Sequence, residues 1–322
     1  MTRTAFDIAG NTVRAGRLEK FELPIARLMS GTPVALPVVV LHGSDEGPTV
    51  WLSAAIHGDE LNGVEIIRQI LGVLHPAEMA GTVIAVPVVN VHGFNTGDRY
   101  LPDRRDLNRA FPGSRRGSLA ARIAHLLMAE VVSRCTVGID LHTGSDHRTN
   151  LPQIRADLDD SPTFELTKTF APPVAIHSRV RDGSLRQAAT EVGATTLLYE
   201  GGSALRFDQA AIGAGRNGVL RVLASLGMIE SAEPGGSMLL ARSSRWVRAQ
   251  QSGILHLEVD LGAEIRNGDT IATVFDPFGK RLGRILSKGD GLVIGRTEHP
   301  LVNRGDAVAH IADVGDERGA DS

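Results

Sequence analysis

Histidine and glutamate stand three residues apart in His57-Gly58-Asp59-Glu60, where the β-rich run Thr49–Ile56 gives out. An imidazole and a carboxylate that converge on one point suit a divalent cation, and Gly58 permits the tight turn that convergence needs. Spacing alone is a weak signal, because His75-Pro76-Ala77-Glu78 repeats it. Chain order separates the two pairs. His57 and Glu60 leave a strand, whereas His75 and Glu78 follow a helical pattern. Loops leaving the carboxyl ends of strands in an α/β sheet gather on one edge, where sites form. The second pair is therefore expected at the opposite edge, as a surface loop.

Catalytic zinc usually takes three protein ligands and keeps one position open. His142 ends the run Val137–Leu141, precedes Thr143-Gly144 and should open on the same edge as His57. In isolation a hydrogen-bonded histidine at a strand end is its plainer reading, and His92 and His147 compete from neighbouring loops. Between these ligands, Arg99 to Arg109 holds four arginines in eleven residues. Read blandly this is a solvated loop. Read chemically, a guanidinium beside a metal suits bidentate carboxylate recognition or oxyanion stabilisation. Glu200, before Gly201-Gly202 at the end of Thr195–Tyr199, could reach an attacking water as general base; the alternative is a capping or ion-paired carboxylate.

The elements that must position these residues are legible as patterns. Up to about residue 235, β-rich runs at Val38–Leu41, Thr49–Ile56, Thr82–Asn90, Val137–Leu141 and Thr195–Tyr199 alternate with helical patterns, the signature of an α/β domain. Asn62–Leu74 places Val64, Ile67, Leu71 and Leu74 at helical spacing, and Ser118–Val132 does so with Ile123, Leu127 and Val131 behind Ser118 as N-cap. After Glu233-Pro234-Gly235-Gly236 only short strands and glycine turns follow. Ile265-Arg266-Asn267-Gly268-Asp269-Thr270-Ile271-Ala272 returns 37 positions later as Val302-Asn303-Arg304-Gly305-Asp306-Ala307-Val308-Ala309. This predicts two units, residues 1–235 and a small β-sandwich or barrel over 236–322. The second resembles lipoyl or biotinyl carrier domains in shape, but Lys288 lacks the residues that flank a modification site.

Composition narrows the partners. The 322 residues are 42% hydrophobic and 22% charged with a formal charge of −3, a soluble globular profile without the basic stripe of a nucleic-acid binder. No apolar stretch approaches the length that spans a bilayer, and Met1 to Asp7 lacks the apolar core of a signal peptide. Cys135 is the only cysteine, so any metal must be held by His, Asp and Glu, and a reducing cytoplasm is the default setting. Oligomeric state is left open, a homo-oligomer included.

The order His57-x-x-Glu60, Asp106-Leu107-Asn108-Arg109, Asp140-Leu141-His142 and Glu200 resembles the succinylglutamate desuccinylase and aspartoacylase family of the zinc carboxypeptidase superfamily, over roughly residues 45 to 205. The resemblance implies a mixed sheet flanked by helices, with a small C-terminal all-β domain. It implies one Zn2+ on His57, Glu60 and His142, with Glu200 and Arg109 catalytic. Arg99, Asn108 and Arg109 would meet the substrate's carboxylate or polarised carbonyl, and Asp106 would fix the His57 tautomer. The stretch Arg99–Arg109 is two residues longer than the short aspartoacylase form, so Arg104 and Arg105 are alternatives to Arg99. The activity implied is hydrolysis of an amide in an N-acyl amino acid or a related small carboxylate. The alternatives are a metallocarboxypeptidase acting on peptide C-termini and a non-catalytic binding homologue. A carboxypeptidase sets a late tyrosine over its substrate, and this chain has only Tyr100 and Tyr199.

Overall fold

The computed structural model describes residues 3–314. Its backbone is one mixed, twelve-stranded sheet with helices on both faces, a separate four-stranded sheet, and a two-stranded ribbon of Phe6–Ile8 with Asn11–Val13. At the centre Asp45–Ala54, Val137–Gly144 and Thr195–Ser203 run parallel to one another. Central strands buried on both faces need apolar residues at every position. Pro33–His42, second from the edge of the sheet, is buried in this way over Val38–Leu41: Val38 and Val40 enter one core and Val39 and Leu41 the other.

Asn62–Val73 packs on one face, burying Ile66, Ile67 and Ile70 and leaving Val64 and Leu71 only partly covered. Each buried isoleucine contributes about 2 kcal/mol of apolar transfer. Gly63 lets the first turn lie on the sheet, since a Cβ there would stand 2.7 Å from Leu141 Cβ and 2.8 Å from Ala54 Cβ. Glu60 is thereby held over the ends of two central strands. Leu119–Glu130 covers the opposite face, and the Ser118 hydroxyl caps it by accepting from the Ala121 amide.

Several boundaries differ from the sequence pattern. The run expected over Thr82–Asn90 is a strand only over Ala80–Val86, because Pro87 has no amide to donate and Asn90 instead caps the helix Val91–Thr96. Val137–Gly144 carries His142 inside the strand rather than just past it, and Thr195–Ser203 likewise carries Glu200, with an irregularity after it. Gly58 is required for close approach and not for turn freedom: its Cβ would fall 2.0 Å from the Gly93 carbonyl carbon.

After residue 236 the described residues form strands only. Leu239–Arg248 pairs in parallel with Val174–His177, and Gly291–Thr297 pairs with Arg148–Ala156, so hydrogen bonding continues from the α/β sheet into these strands. Gly253–Leu257, Thr270–Phe275, Arg281–Leu286 and Leu301–Val302 build the smaller sheet. The internal repeat is one turn made twice: Asp269 accepts from the Arg266 amide at 2.7 Å and Asp306 from the Asn303 amide at 2.7 Å, with Gly268 and Gly305 left-handed. Lys288 lies in a connection between the two sheets rather than at a hairpin tip. Residues 315–322, the end of the predicted C-terminal unit, lie outside the described residues.

Candidate active site

Because the three central strands are parallel, His57, His142 and Glu200 all emerge at one edge of the sheet. The ligand atoms of His57, Glu60 and His142 lie within 4.8 Å of one another, and all three side chains are buried. His57 Nδ1 faces Glu60 Oε1 at 2.8 Å, and His142 Nδ1 faces Glu60 Oε2 at 2.7 Å. The far nitrogens are held as well. His57 Nε2 meets Asp106 Oδ1 at 3.1 Å, and His142 Nε2 meets Asp140 Oδ2 at 2.8 Å. Ser53 Oγ fixes Asp140 by donating to Oδ1 at 2.7 Å.

A neutral imidazole has one N–H, yet each ring here has a carboxylate oxygen at both nitrogens. Burial opposes charge on both rings, but Glu60 and Asp106 raise the pKa of His57, and Asp140 and Glu60 raise that of His142. Glu60 is held far below the usual carboxylate range, since His57 and His142 outweigh its own burial. Three carboxylates, Glu60, Asp106 and Asp140, are thus balanced by two imidazolium charges and Arg99. One divalent cation facing both Nδ1 atoms would balance them equally, with each Nε2–H donating to its aspartate. The donor set therefore fits a metal of the zinc type, with oriented histidines behind an N2O face.

His75 and Glu78 are exposed beside the opposite edge, where Asp45 pairs with Ala80. His92 and His147 stand outside the ligand group.

The ligand cluster opens into a cleft of about 380 Å³. Glu200 lines it, with Oε2 accepting from Asn150 Nδ2 at 2.7 Å and Oε1 3.4 Å from Arg155 Nε. Arg99, Asn108 and Arg109 line it too, each with other work. Arg99 bridges Glu60 and Asp106 at 3.2 Å each. Asn108 Oδ1 accepts from the Leu185 amide at 2.9 Å, which pins the start of the helix Leu185–Glu191. Arg109 is exposed, with Nη1 donating to the Asn108 carbonyl. Arg104 and Arg105 are exposed and absent from the lining, and Arg105 pairs with Asp103.

The far wall was not singled out in the sequence. Arg148, Arg155, Arg181, Arg186 and Arg248 bring the cleft to seven arginines against two carboxylates, Glu60 and Glu200, among the described residues. Arg186 is buried and donates to the Arg155 and Arg179 carbonyls at 2.7 Å each; burial and then Arg155 pull its pKa down to about 10. Trp246 lies under the Arg148 guanidinium at 5.3 Å.

The model of the succinylglutamate desuccinylase/aspartoacylase catalytic domain matches residues 46–226, which contain the ligand cluster, the arginine loop and Glu200. The chain belongs to this family. An N-α-acetyl-L-2,4-diaminobutyric acid deacetylase from Halomonas elongata is 30% identical over 299 residues, 87% of this chain and 86% of that protein. A succinylglutamate desuccinylase/aspartoacylase structure from Rhodobacter sphaeroides superposes with a TM-score of 0.83 at 27% identity, covering 92% of this chain and 96% of that one. The product-bound ectoine utilisation protein EutE (DoeB) of Ruegeria pomeroyi gives 0.82 at 25% identity, over 92% and 94%. The family is thus shared along nearly the whole length, C-terminal strands included. No helix among the described residues is long and apolar enough to cross a membrane.

Proposed function

We propose that this chain is a zinc-dependent deacylase that hydrolyses the amide of a small N-acyl amino acid bearing a free carboxylate. The observation that carries this reading is the ligand cluster itself: two oriented imidazoles converge on the two oxygens of Glu60, at the floor of a cleft rich in arginine. His57, Glu60 and His142 would hold the ion, with Asp106 and Asp140 fixing the two imidazoles. A zinc ion held there would supply Lewis-acid chemistry, polarising a carbonyl and lowering the pKa of water to about 7.

The remaining roles fall to side chains. Glu200 takes the proton of the attacking water and returns it to the leaving amine. Arg109 sits at the exposed rim, able to face the developing oxyanion. Arg186 supplies a desolvated guanidinium whose acceptors are backbone carbonyls and the Ser178 hydroxyl. A substrate carboxylate is the natural counter-charge for it. The name of the Halomonas elongata relative supports acetyl as the acyl group. An ammonium on the amine moiety finds only Glu60 and Glu200 among the lining side chains, and both are engaged. The lining therefore favours acidic or neutral amino acids over a diamine.

The exopeptidase alternative loses support from geometry. Tyr199 is buried, with its hydroxyl on the Ala211 carbonyl, and neither tyrosine lines the cleft. We assign residues 236–314, the described part of the C-terminal stretch, to an unmodified β unit that shapes this entrance. The lone, buried Cys135 suits a reducing cytoplasm.

The test is hydrolysis of N-acetyl and N-succinyl amino acids, with their carboxamide analogues, by zinc-loaded protein. The free acids should be cleaved preferentially. Glu200→Gln should keep the metal and lose turnover by roughly a hundredfold or more, the scale of general base catalysis. Near wild-type turnover in Glu200→Gln removes it as the base, and indifference to the carboxylate removes the proposed substrate class.

A further inference from the structure

The C-terminal strands reach the Glu200 carboxylate through a row of cross-strand neighbours. Trp246 lies opposite His310, His310 opposite Gly295, Gly295 opposite Asn150, and Asn150 opposite Gly202 on the strand that carries Glu200. Residues directly opposite in a sheet share a face and touch. The Trp246 and His310 rings stack with centroids 4.2 Å apart and planes 10° apart. At Gly295 the missing side chain leaves room that is already taken. A Cβ there would lie 2.8 Å from Asn150 Oδ1 and 3.4 Å from His310 Cβ. That same Asn150 amide donates to Glu200 Oε2 at 2.7 Å.

The other carboxylate oxygen is reached by a parallel route. Arg155 Nε stands 3.4 Å from Glu200 Oε1, and Arg155 Nη2 stands 3.4 Å from His310 Nδ1. A guanidinium only donates, so Nδ1 must accept and the ring proton sits on Nε2, facing Ser244 Oγ at 2.9 Å. Burial first, then Arg155 and Arg148, keeps this imidazole neutral and its acceptor available.

We infer that Gly295 and His310 are positioning residues that aim Glu200, by holding Asn150, which hydrogen-bonds one of its oxygens, and Arg155, whose guanidinium stands at ion-pair distance from the other. This rests on Glu200 being the base. It gives the C-terminal strands a part in the chemical step itself, beyond the shape of the entrance. A base misaimed by about 1 Å loses on the order of a hundredfold in rate. Loosening one of two grips should cost part of that.

The experiment measures kcat, KM, zinc content and thermal midpoint for Glu200→Gln, Gly295→Ala, His310→Phe, His310→Asn, Asn150→Ala and the double variant Gly295→Ala/Asn150→Ala. Gly295→Ala and His310→Phe should lower kcat about tenfold with KM within about twofold and zinc unchanged. His310→Asn should recover most of the loss, because its amide oxygen can accept from Arg155 as Nδ1 does. In the Asn150→Ala background Gly295→Ala should cost almost nothing more, since the group it displaces is gone. Wild-type kcat in both single variants, an equal Gly295→Ala cost with and without Asn150, or His310→Asn no better than His310→Phe each overturns the inference. If Gly295→Ala fails to fold, the His310 pair decides alone. An inactive Glu200→Gln beside fully active Gly295→Ala and His310→Phe removes the positioning role and leaves the base. An active Glu200→Gln removes both.

Discussion

The two walls of the cleft are built on opposite principles. On one side opposite charges interlock: Glu60, Asp106 and Asp140 meet His57, His142 and Arg99 in contacts of 2.7 to 3.2 Å. On the other side Arg148, Arg155, Arg181, Arg186 and Arg248 crowd together, and Glu200 is the one lining carboxylate besides Glu60 among the described residues. A closed network fixes geometry. An excess of like charge, partly desolvated, is destabilising until an anion arrives. On the proposed reading the first wall holds a cation and the second receives a carboxylate.

Breaking the first wall should have the larger effect. His57→Ala and His142→Ala should each abolish tight zinc binding and turnover, while His75→Ala retains both; elemental analysis after dialysis reads the difference. Full zinc occupancy in His142→Ala would sink the assignment. Asp140→Asn keeps the shape but removes the charge behind His142, and should weaken zinc affinity roughly ten- to hundredfold. The same titration on Asp140→Asn, with competing chelator, measures it.

Breaking the second wall should spare the metal and raise KM. Arg186→Gln should raise KM for a free-acid substrate by roughly ten- to a hundredfold, the worth of a charged hydrogen-bonded contact, and hardly change it for the carboxamide. Equal loss on both substrates would show Arg186 to be a structural clamp on the Arg155 and Arg179 carbonyls. A smaller effect is expected at the rim, where lysine keeps the charge of Arg109 but not its fork. Arg109→Lys should cost several-fold in kcat/KM and the exposed Arg104→Lys nothing measurable.

The same two walls explain what could be read from sequence. The first comes from segments whose local pattern announces them: a β-rich run that ends at a polar residue, twice, in strands that turn out parallel. The arginine loop was visible as composition, but its division of labour was not, because only tertiary contacts separate Arg99, on Glu60 and Asp106 in the cleft, from Arg105, on Asp103 in solvent. The second wall is assembled from distant places. Arg148 and Asn150 reach the site because Arg148–Ala156 runs antiparallel to Thr195–Ser203, which puts its amino end at the carboxyl edge of its neighbours. Arg186 arrives with the helix that Asn108 anchors, and Trp246 and Arg248 arrive through the pairing of the C-terminal strands. Such register is a tertiary property with no local period to reveal it. The Gly-Asp repeat was plain in sequence, but the sheet that joins it to the catalytic region was not.

The smallest effect expected is thermodynamic, and it separates a neutral His310 from a merely buried one. His310 touches Arg155, Ser244 and Trp246, and burial first, then the charges of Arg155 and Arg148, pushes its pKa down to about 3. The unfolded chain binds a proton there near pH 6.5, which the folded chain refuses until pH 3. Stability is therefore fully present above pH 6.5 and falls as pH drops towards 3, by at most about 1.4 kcal/mol per pH unit from this group. His310→Phe keeps the flat contact with Trp246 but has no proton to refuse. It should be less stable than wild type at pH 7, and the gap should narrow by about 1 kcal/mol or more by pH 5. Urea denaturation of both proteins at the two pH values, at equal zinc, reads this directly. A gap that stays constant would mean that His310 titrates alike in the folded and unfolded chains, and the acceptor it offers Arg155 would then be lost in mild acid.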